Sequence, residues 1–177
     1  METLNAIFNR KSIRTYTGKK ISEDKLKKIL KAAKAAPVGM GKYDTVHITV
    51  IENPELLKEI DINTANIFGI PDIHPLYGAP TLVVVSVKPE GKTPNNTEYS
   101  NAAIITHNMA LASVDSGIGG CHIWGAVMAL NENQNLVKQL NLPDGFVPCC
   151  GITLGETQEQ YTPQDIPENR VGTNFIK

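Results

Sequence analysis

The run Thr81-Leu82-Val83-Val84-Val85-Ser86-Val87 limits the architecture more than any other segment of this 177-residue chain. It is almost continuously apolar, rich in β-branched residues, and bounded by Pro80 and Lys88. A half-exposed strand would alternate polar and apolar positions, so this run reads as a central strand buried on both faces. Thr45 to Ile51 does alternate, with Val46, Ile48 and Val50 on one face, and Phe146 to Leu154 reads as a final strand. Helical patterns fall between them. Residues 2–9 predict a short helix with Leu4, Ile7 and Phe8 inward. Ser22 is a plausible N-cap for a helix whose stripe is Leu26, Ile29, Leu30 and Ala33, ended by Pro37. Asn53-Pro54 opens a short helix through Ile60, and residues 61–79 read as loop. Glu98 to Ser116 is a long helix with a small-residue face that suits the core or another subunit, and Glu132 to Leu140 is a further short helix.

The order of elements is α+β or mixed α/β, on a chain long enough for one domain over residues 1–177. The tail, about 156–177, lacks periodicity and needs a surface to lie on, for which a second subunit is the natural candidate. No stretch has the length and purity of a bilayer-spanning helix, and no signal-peptide pattern is present, so a cytoplasmic protein off the membrane is expected. Cys121, Cys149 and Cys150 contain no CxxC pair and read as small buried hydrophobes. His47, His74, His107 and His122 are scattered without HExxH, which argues against a metal site; His107 reads as a structural hydrogen-bonding residue. GxSxG, GxxxxGK and a GxGxxG after a strand are all missing, which removes the main hydrolase, P-loop and Rossmann readings.

Charge is unevenly placed. Residues 1–42 hold 11 of the 17 Lys/Arg but only 3 of the 18 Asp/Glu. Without an RNP-like strand or finger spacing, this basic first quarter does not read as a nucleic-acid surface. Its sharpest feature is Arg10-Lys11-Ser12-Ile13-Arg14. A helical turn would place Arg10 and Arg14 on one side with the Ser12 hydroxyl adjoining, a donor set suited to phosphate. The competing reading is a basic helix end paired with the acidic body. Trp124, between Ile123 and Gly125, is either a core aromatic or a platform for a flat ring. No acid–base pair stands out, which fits chemistry supplied by a cofactor.

Arg10 to Arg14 followed by Tyr16, the Ile21-Ser22 helix ending at Ala35-Ala36-Pro37, Gly78-Ala79-Pro80 before the central strand, Asn101-Ala102-Ala103, the segment Gly117 to Gly125, and Leu154-Gly155 occur in an order that resembles the FMN-dependent nitroreductase family. The resemblance implies an α+β fold, a mainly antiparallel central sheet surrounded by helices, in an intertwined homodimer with FMN at the subunit interface. It implies that Arg10, Ser12 and Arg14 hold the FMN phosphate and ribityl chain, with Lys11 adding a contact. Pro37, Val38, Gly39 and Met40 would lie beside the flavin of the partner's site, and His122, Ile123, Trp124 and Gly125 would cover another part of the ring. Arg170 matches a basic residue that joins the phosphate cluster, and Asn63 or Asn66 matches a family asparagine near the flavin.

The implied activity is hydride transfer from NAD(P)H through FMN to a small electron-poor acceptor such as a nitroaromatic or quinone. One departure stands out. The family loop reads close to Pro-Ser-x-x-Asn-x-Gln-Pro-Trp, whereas this chain has Pro37-Val38-Gly39-Met40-Gly41-Lys42-Tyr43. That loss of polar contacts motivates the alternative of a flavin-binding or flavin-storing protein without efficient NAD(P)H turnover.

Overall fold

In the computed structural model, which describes residues 2–177, the continuous apolar run forms strand β2 (Thr81–Val87), buried along its whole length. β1 (Val46–Ile51) pairs with it antiparallel on one side and β4 (Val147–Gly155) on the other. β3 (Gly119–Ile123) pairs antiparallel with β4, giving the order β1-β2-β4-β3. Successive side chains of a strand point to opposite faces, so β2 feeds two cores at once. Val83, Val85 and Val87 pack with Ile29 and Ala33 of α2 (Glu23–Lys34) and with Ile105 and Met109 of α4 (Asn96–Asp115). Leu82 and Val84 pack with Leu57 and Ile60 of α3 (Pro54–Phe68), Ala126 and Leu130 of α5 (Gly125–Asn131), and Leu136 of α6 (Gln134–Gln139). The result is an α+β sandwich around an antiparallel sheet. Each fully buried Val or Leu contributes roughly 1.5–3 kcal/mol, so β2 is the densest source of stabilisation in the chain.

The long helix α4 begins two residues earlier than its apolar pattern suggests, because Asn95 caps it. The Asn95 side chain accepts from the Thr97 and Glu98 N–H groups, while Glu98 reaches back to the Asn95 N–H at 2.7 Å. Glu98 also accepts the Glu90 N–H at 2.9 Å, so this buried carboxylate ties the 88–95 excursion to the helix start. Capping boxes of this kind are worth about 1 kcal/mol.

Four expectations change. α3 continues to Phe68, where Gly69 at φ 66° ends it, and does not stop at Ile60. Its second half buries Thr64 and Ala65 while leaving Ile62, Ile67 and Phe68 exposed, so apolar residues surround the helix and mask its period. β3 and α5 fall where glycines suppress strand and helix propensity. The short helix expected over 132–140 is trimmed to α6, capped by the Asn133 side chain. Finally, α1 (Thr3–Asn9) buries Ala6 and Asn9 rather than Leu4, Ile7 and Phe8, which are 62%, 41% and 43% exposed. Ala6 is the close-packing side against the body, and the larger apolar residues face outward.

The tail divides in two. Residues 156–164 return along the chain's own N-terminal segment: the Thr17 N–H donates to the Glu156 carbonyl at 2.9 Å, Thr157 Oγ1 to the Thr15 carbonyl at 2.8 Å, and the Gln164 N–H to the Phe8 carbonyl at 2.9 Å. Residues 165–177 are exposed, including Val171, Phe175 and Ile176. Among the described residues, no helix is long and apolar enough to cross a membrane. Cys121 and Cys149 are buried, and burial pushes the Cys149 thiol up to about 12, as expected of a small hydrophobe and not of a nucleophile.

Close backbone approach is concentrated at Gly155. A Cβ there would lie 2.7 Å from Pro80 Cδ and 2.8 Å from Tyr16 Cδ1, both atoms of stiff rings, whereas one at Gly172 would meet nothing. Gly155→Ala is expected to destabilise the fold by about 1–3 kcal/mol in urea denaturation, with Gly172→Ala near neutral.

Candidate functional site

The basic cluster is not helical. α1 ends at Asn9, and Arg10 is extended at φ −61°, ψ 123°. From there the chain forms a strap along the free edge of β3. The Ile13 N–H donates to the Gly120 carbonyl at 3.0 Å, and the Ile13 side chain is fully buried. Tyr16 fixes the next turn of chain: its hydroxyl donates to the Ile13 carbonyl at 2.9 Å and lies 2.8 Å from Thr153 Oγ1. Gly119 and Gly120 permit this docking, since a Cβ on Gly119 would lie 2.9 Å from Ile13 Cγ2. With Ile13 turned into the core, half-buried Ser12 and exposed Arg14 are directed away from it. An extended chain alternates its side chains, so the period that would bring Arg10, Ser12 and Arg14 to one side here is two and not that of a helical turn.

The charges on the strap are used differently. Lys11 pairs with Glu159 at 3.1 Å and so pins the tail. Neither Arg10 nor Arg14 forms a carboxylate ion pair among the described residues. The salt-bridged helix end considered above therefore describes Lys11 alone. The Arg14 guanidinium carbon lies 5.6 Å from the centroid of the Tyr77 ring, and Tyr77 is the chief influence raising the Arg14 pKa. The charge of Arg10 is felt by His107 on α4 and His122 on β3, whose rings stack at 5.7 Å with a 25° tilt. Burial first, and Arg10 last, lowers both imidazoles below their usual value; His107 also acts on His122. His107 thus stacks on a second imidazole, and the neighbouring Asn108 makes the hydrogen bond, donating to the Ala32 carbonyl at 3.1 Å. Tyr161 donates to the Ile118 carbonyl at 2.7 Å, and burial pushes its phenol up to about 12.

Beyond His122 the segment splits by role. Ile123 is a core residue, whereas Trp124, at the start of α5, is 61% exposed and not a core aromatic. Gly125 lies against Phe68, whose ring would be 3.3 Å from an added Cβ. A recess of about 340 Å³ opens beside Trp124, with Tyr99, Val127 and Met128 in its wall. Of the two candidate asparagines, Asn63 is engaged: it donates to the Ala129 carbonyl at 2.9 Å and accepts from Asn133 at 3.0 Å. Asn66 is exposed.

The loop residues lie elsewhere. Pro37 is exposed, Val38 is buried in the core, Gly39 donates its N–H to Asn101 Oδ1 at 3.0 Å, and Met40 is 80% exposed at φ 55°. This loop leads into β1, at the sheet edge opposite the Ile13 strap. Three strand spacings, roughly 14 Å, separate those edges. Arg170 sits exposed on a 3₁₀ turn over Glu168–Arg170, and its guanidinium makes no ion pair among the described residues. Within one chain Arg10 lies within reach of His107 and His122, Arg14 lies beside Tyr77, and Pro37–Met40 belong to the loop before β1 at the other sheet edge. His107, Tyr77 and Phe68 join the site unannounced: the first lacked a visible partner, and the other two lay in a segment read as loop.

Comparison with known proteins identifies the family and the fold. A sequence description of the nitroreductase family matches residues 7–68, the strap through the end of α3. A protein of Archaeoglobus fulgidus named as a candidate NADH dehydrogenase/NAD(P)H nitroreductase is 30% identical over 161 residues, covering 90% of this chain and 87% of that protein. This chain belongs to the nitroreductase family. A nitroreductase of Bacteroides fragilis with bound FMN superposes with a TM-score of 0.83 at 26% identity, over 99% of this chain and all of that one. The fold is likewise that of a nitroreductase with bound FMN from Desulfitobacterium hafniense, at TM-score 0.85, 23% identity and 99% and 100% coverage.

The histidine pair gives this nitroreductase a signed pH dependence. Both imidazoles are lowered from 6.5 in the folded chain, so the unfolded chain takes up protons first as pH falls. Stability present above about pH 6.5 is then lost as pH drops through the lower folded values. Urea midpoints measured from pH 8 to pH 5 are expected to fall across that window, and less so in a His107→Gln/His122→Gln variant.

Proposed function

We propose that this chain is an FMN-dependent oxidoreductase, working as a homodimer, that passes hydride from NAD(P)H to a small electron-poor acceptor such as a nitroaromatic or quinone. The carrying observation is the pair of guanidinium groups on the strap, Arg10 and Arg14, without a carboxylate partner among the described residues. Two planar donor forks with the Ser12 hydroxyl between them match a terminal phosphate in charge and shape, so the donor set fits FMN. FMN supplies the hydride chemistry when bound.

The chain's own residues bind, orient and enclose. Arg10, Ser12 and Arg14 hold the phosphate, with Lys11 held back by Glu159 to fix the tail on the strap. His122, Trp124 and Gly125 would border the ring. The separation of the two sheet edges calls for Pro37, Gly39 and Met40 from a second copy. That copy would also cover Leu4, Ile7 and Phe8 of α1 and the apolar residues of the terminal tail, with Arg170 delivered to the phosphate of one site or the other. NADH against NADPH is left to experiment, as is the acceptor.

The purified protein is expected to be yellow, dimeric by sedimentation, and bleached anaerobically by at least one nicotinamide. A colourless dimer that binds no FMN in fluorescence titration would overturn the proposal, and a yellow protein bleached by neither nicotinamide would leave only flavin storage. Arg10→Ala is expected to weaken FMN binding about 10- to 100-fold, the loss of a charge-assisted hydrogen bond, while riboflavin, which lacks the phosphate, binds as before.

A further inference from the structure

The segment after α3 holds Tyr77 in a conformation that aromatic residues rarely adopt. Tyr77 and Gly78 have φ angles of 55° and 68° in succession, in a turn closed by the Ala79 N–H on the Leu76 carbonyl at 3.0 Å. Glycine adopts such angles freely, and Asn or Asp tolerate them, but an aromatic residue does so only when its surroundings compel it. The compulsion is visible on both sides of the turn. Leu76 is buried in the core beneath α3. The Asp61 carboxylate, itself largely buried, accepts the Leu76 N–H at 2.8 Å with one oxygen and meets His74 Nδ1 at 2.9 Å with the other. The Tyr77 N–H donates to the His74 carbonyl at 2.8 Å. With its neighbours fixed in this way, the Tyr77 side chain cannot follow Leu76 into the core. It projects over the Arg14 guanidinium at 5.6 Å and remains 38% exposed.

Backbone strain of this kind, kept in place by a dedicated carboxylate, marks a functional position more often than a packing one. We propose that Tyr77 is the positioning residue of the phosphate clamp: its side chain, ring and hydroxyl together, holds the Arg14 guanidinium in place at the surface, so that the fork is already ordered when the phosphate arrives. An arginine carries rotamer freedom that binding must otherwise remove, and stacking on an aromatic face removes it beforehand. Asp61 acts one step further back, by setting the turn that delivers the ring. The inference rests on the FMN reading above, since the phosphate is what Arg14 would meet.

Its test separates the two. Native protein, Tyr77→Phe, Tyr77→Asn and Tyr77→Gly, all stripped of flavin, are titrated with FMN and with riboflavin, and the melting temperature of each flavin-free protein is recorded. Asn and Gly suit the positive φ, so neither should lower the melting temperature, and Gly should hold or raise it. Both are nevertheless expected to weaken FMN binding about tenfold and to leave riboflavin binding unchanged, while Phe, which keeps the ring and loses the hydroxyl, falls between them and native. Equal FMN affinity in all four proteins, a loss shared equally by FMN and riboflavin, or tighter FMN binding without the ring would each overturn the positioning role while leaving the flavin reading intact. A native chain that binds neither flavin would overturn both.

Discussion

Two-sided burial of β2 is the constraint on which the rest of the structure depends. A strand with no polar face requires helices above and below it, and α2 with α4 on one side and α3 with α5 and α6 on the other meet that requirement. Both sheet faces are thereby consumed by the core. What remains for binding are the two sheet edges and the loops that reach them. The Ile13 strap takes the β3 edge, and the Pro37–Met40 loop leads to the β1 edge. The chemistry therefore has to be assembled around the margin of the sheet, which is where guanidinium groups, stacked imidazoles and an exposed indole are found together.

Much of this was legible in the sequence, and the failures have physical causes. β1, β2 and β4 were evident because alternation or unbroken β-branched character survives in their residues. β3 was hidden because Gly119 and Gly120 are chosen for what must approach them, Ile13 and the Ser113 hydroxyl, and not for strand propensity. The second half of α3 was hidden because Ile62, Ile67 and Phe68 put apolar residues on the side away from the core. Within the candidate site, the strap cations were found for a partly mistaken reason. The helical turn invoked for them is absent, and the extended backbone that replaces it alternates with a period of two. His107 and Tyr77 could not be found, because what gives each of them meaning is a partner distant in the chain, His122 for one and Arg14 for the other.

Electrostatics on the strap shows how neighbouring cations acquire different tasks. Lys11 has a compact charge on a flexible stem and is neutralised by Glu159 on the tail. Arg14 has a planar group that can lie along the Tyr77 ring and still present donors outward. Arg10 sits beside two imidazoles kept toward their neutral form, so the region carries localised arginine charge without a diffuse positive field. An arrangement of this sort favours a compact dianion over an extended polyanion.

The strap has a further consequence for how the protein is made. Its backbone is fastened by Thr157 and Gln164 and its Lys11 side chain by Glu159, and the Thr157 bond to Thr15 spans 142 residues of sequence. Contacts of such separation form late, because the intervening chain must first be ordered. During synthesis, residues 10–14 leave the ribosome well before the segment that fastens them, about 142 residues later in the chain. Until that segment emerges, the strap is held by the Ile13 and Tyr16 contacts to β3 and β4 alone. A product lacking the segment from Glu156 onward would keep the Ile13 and Tyr16 anchors of the strap and lose those at Phe8, Arg10, Lys11, Thr15 and Thr17.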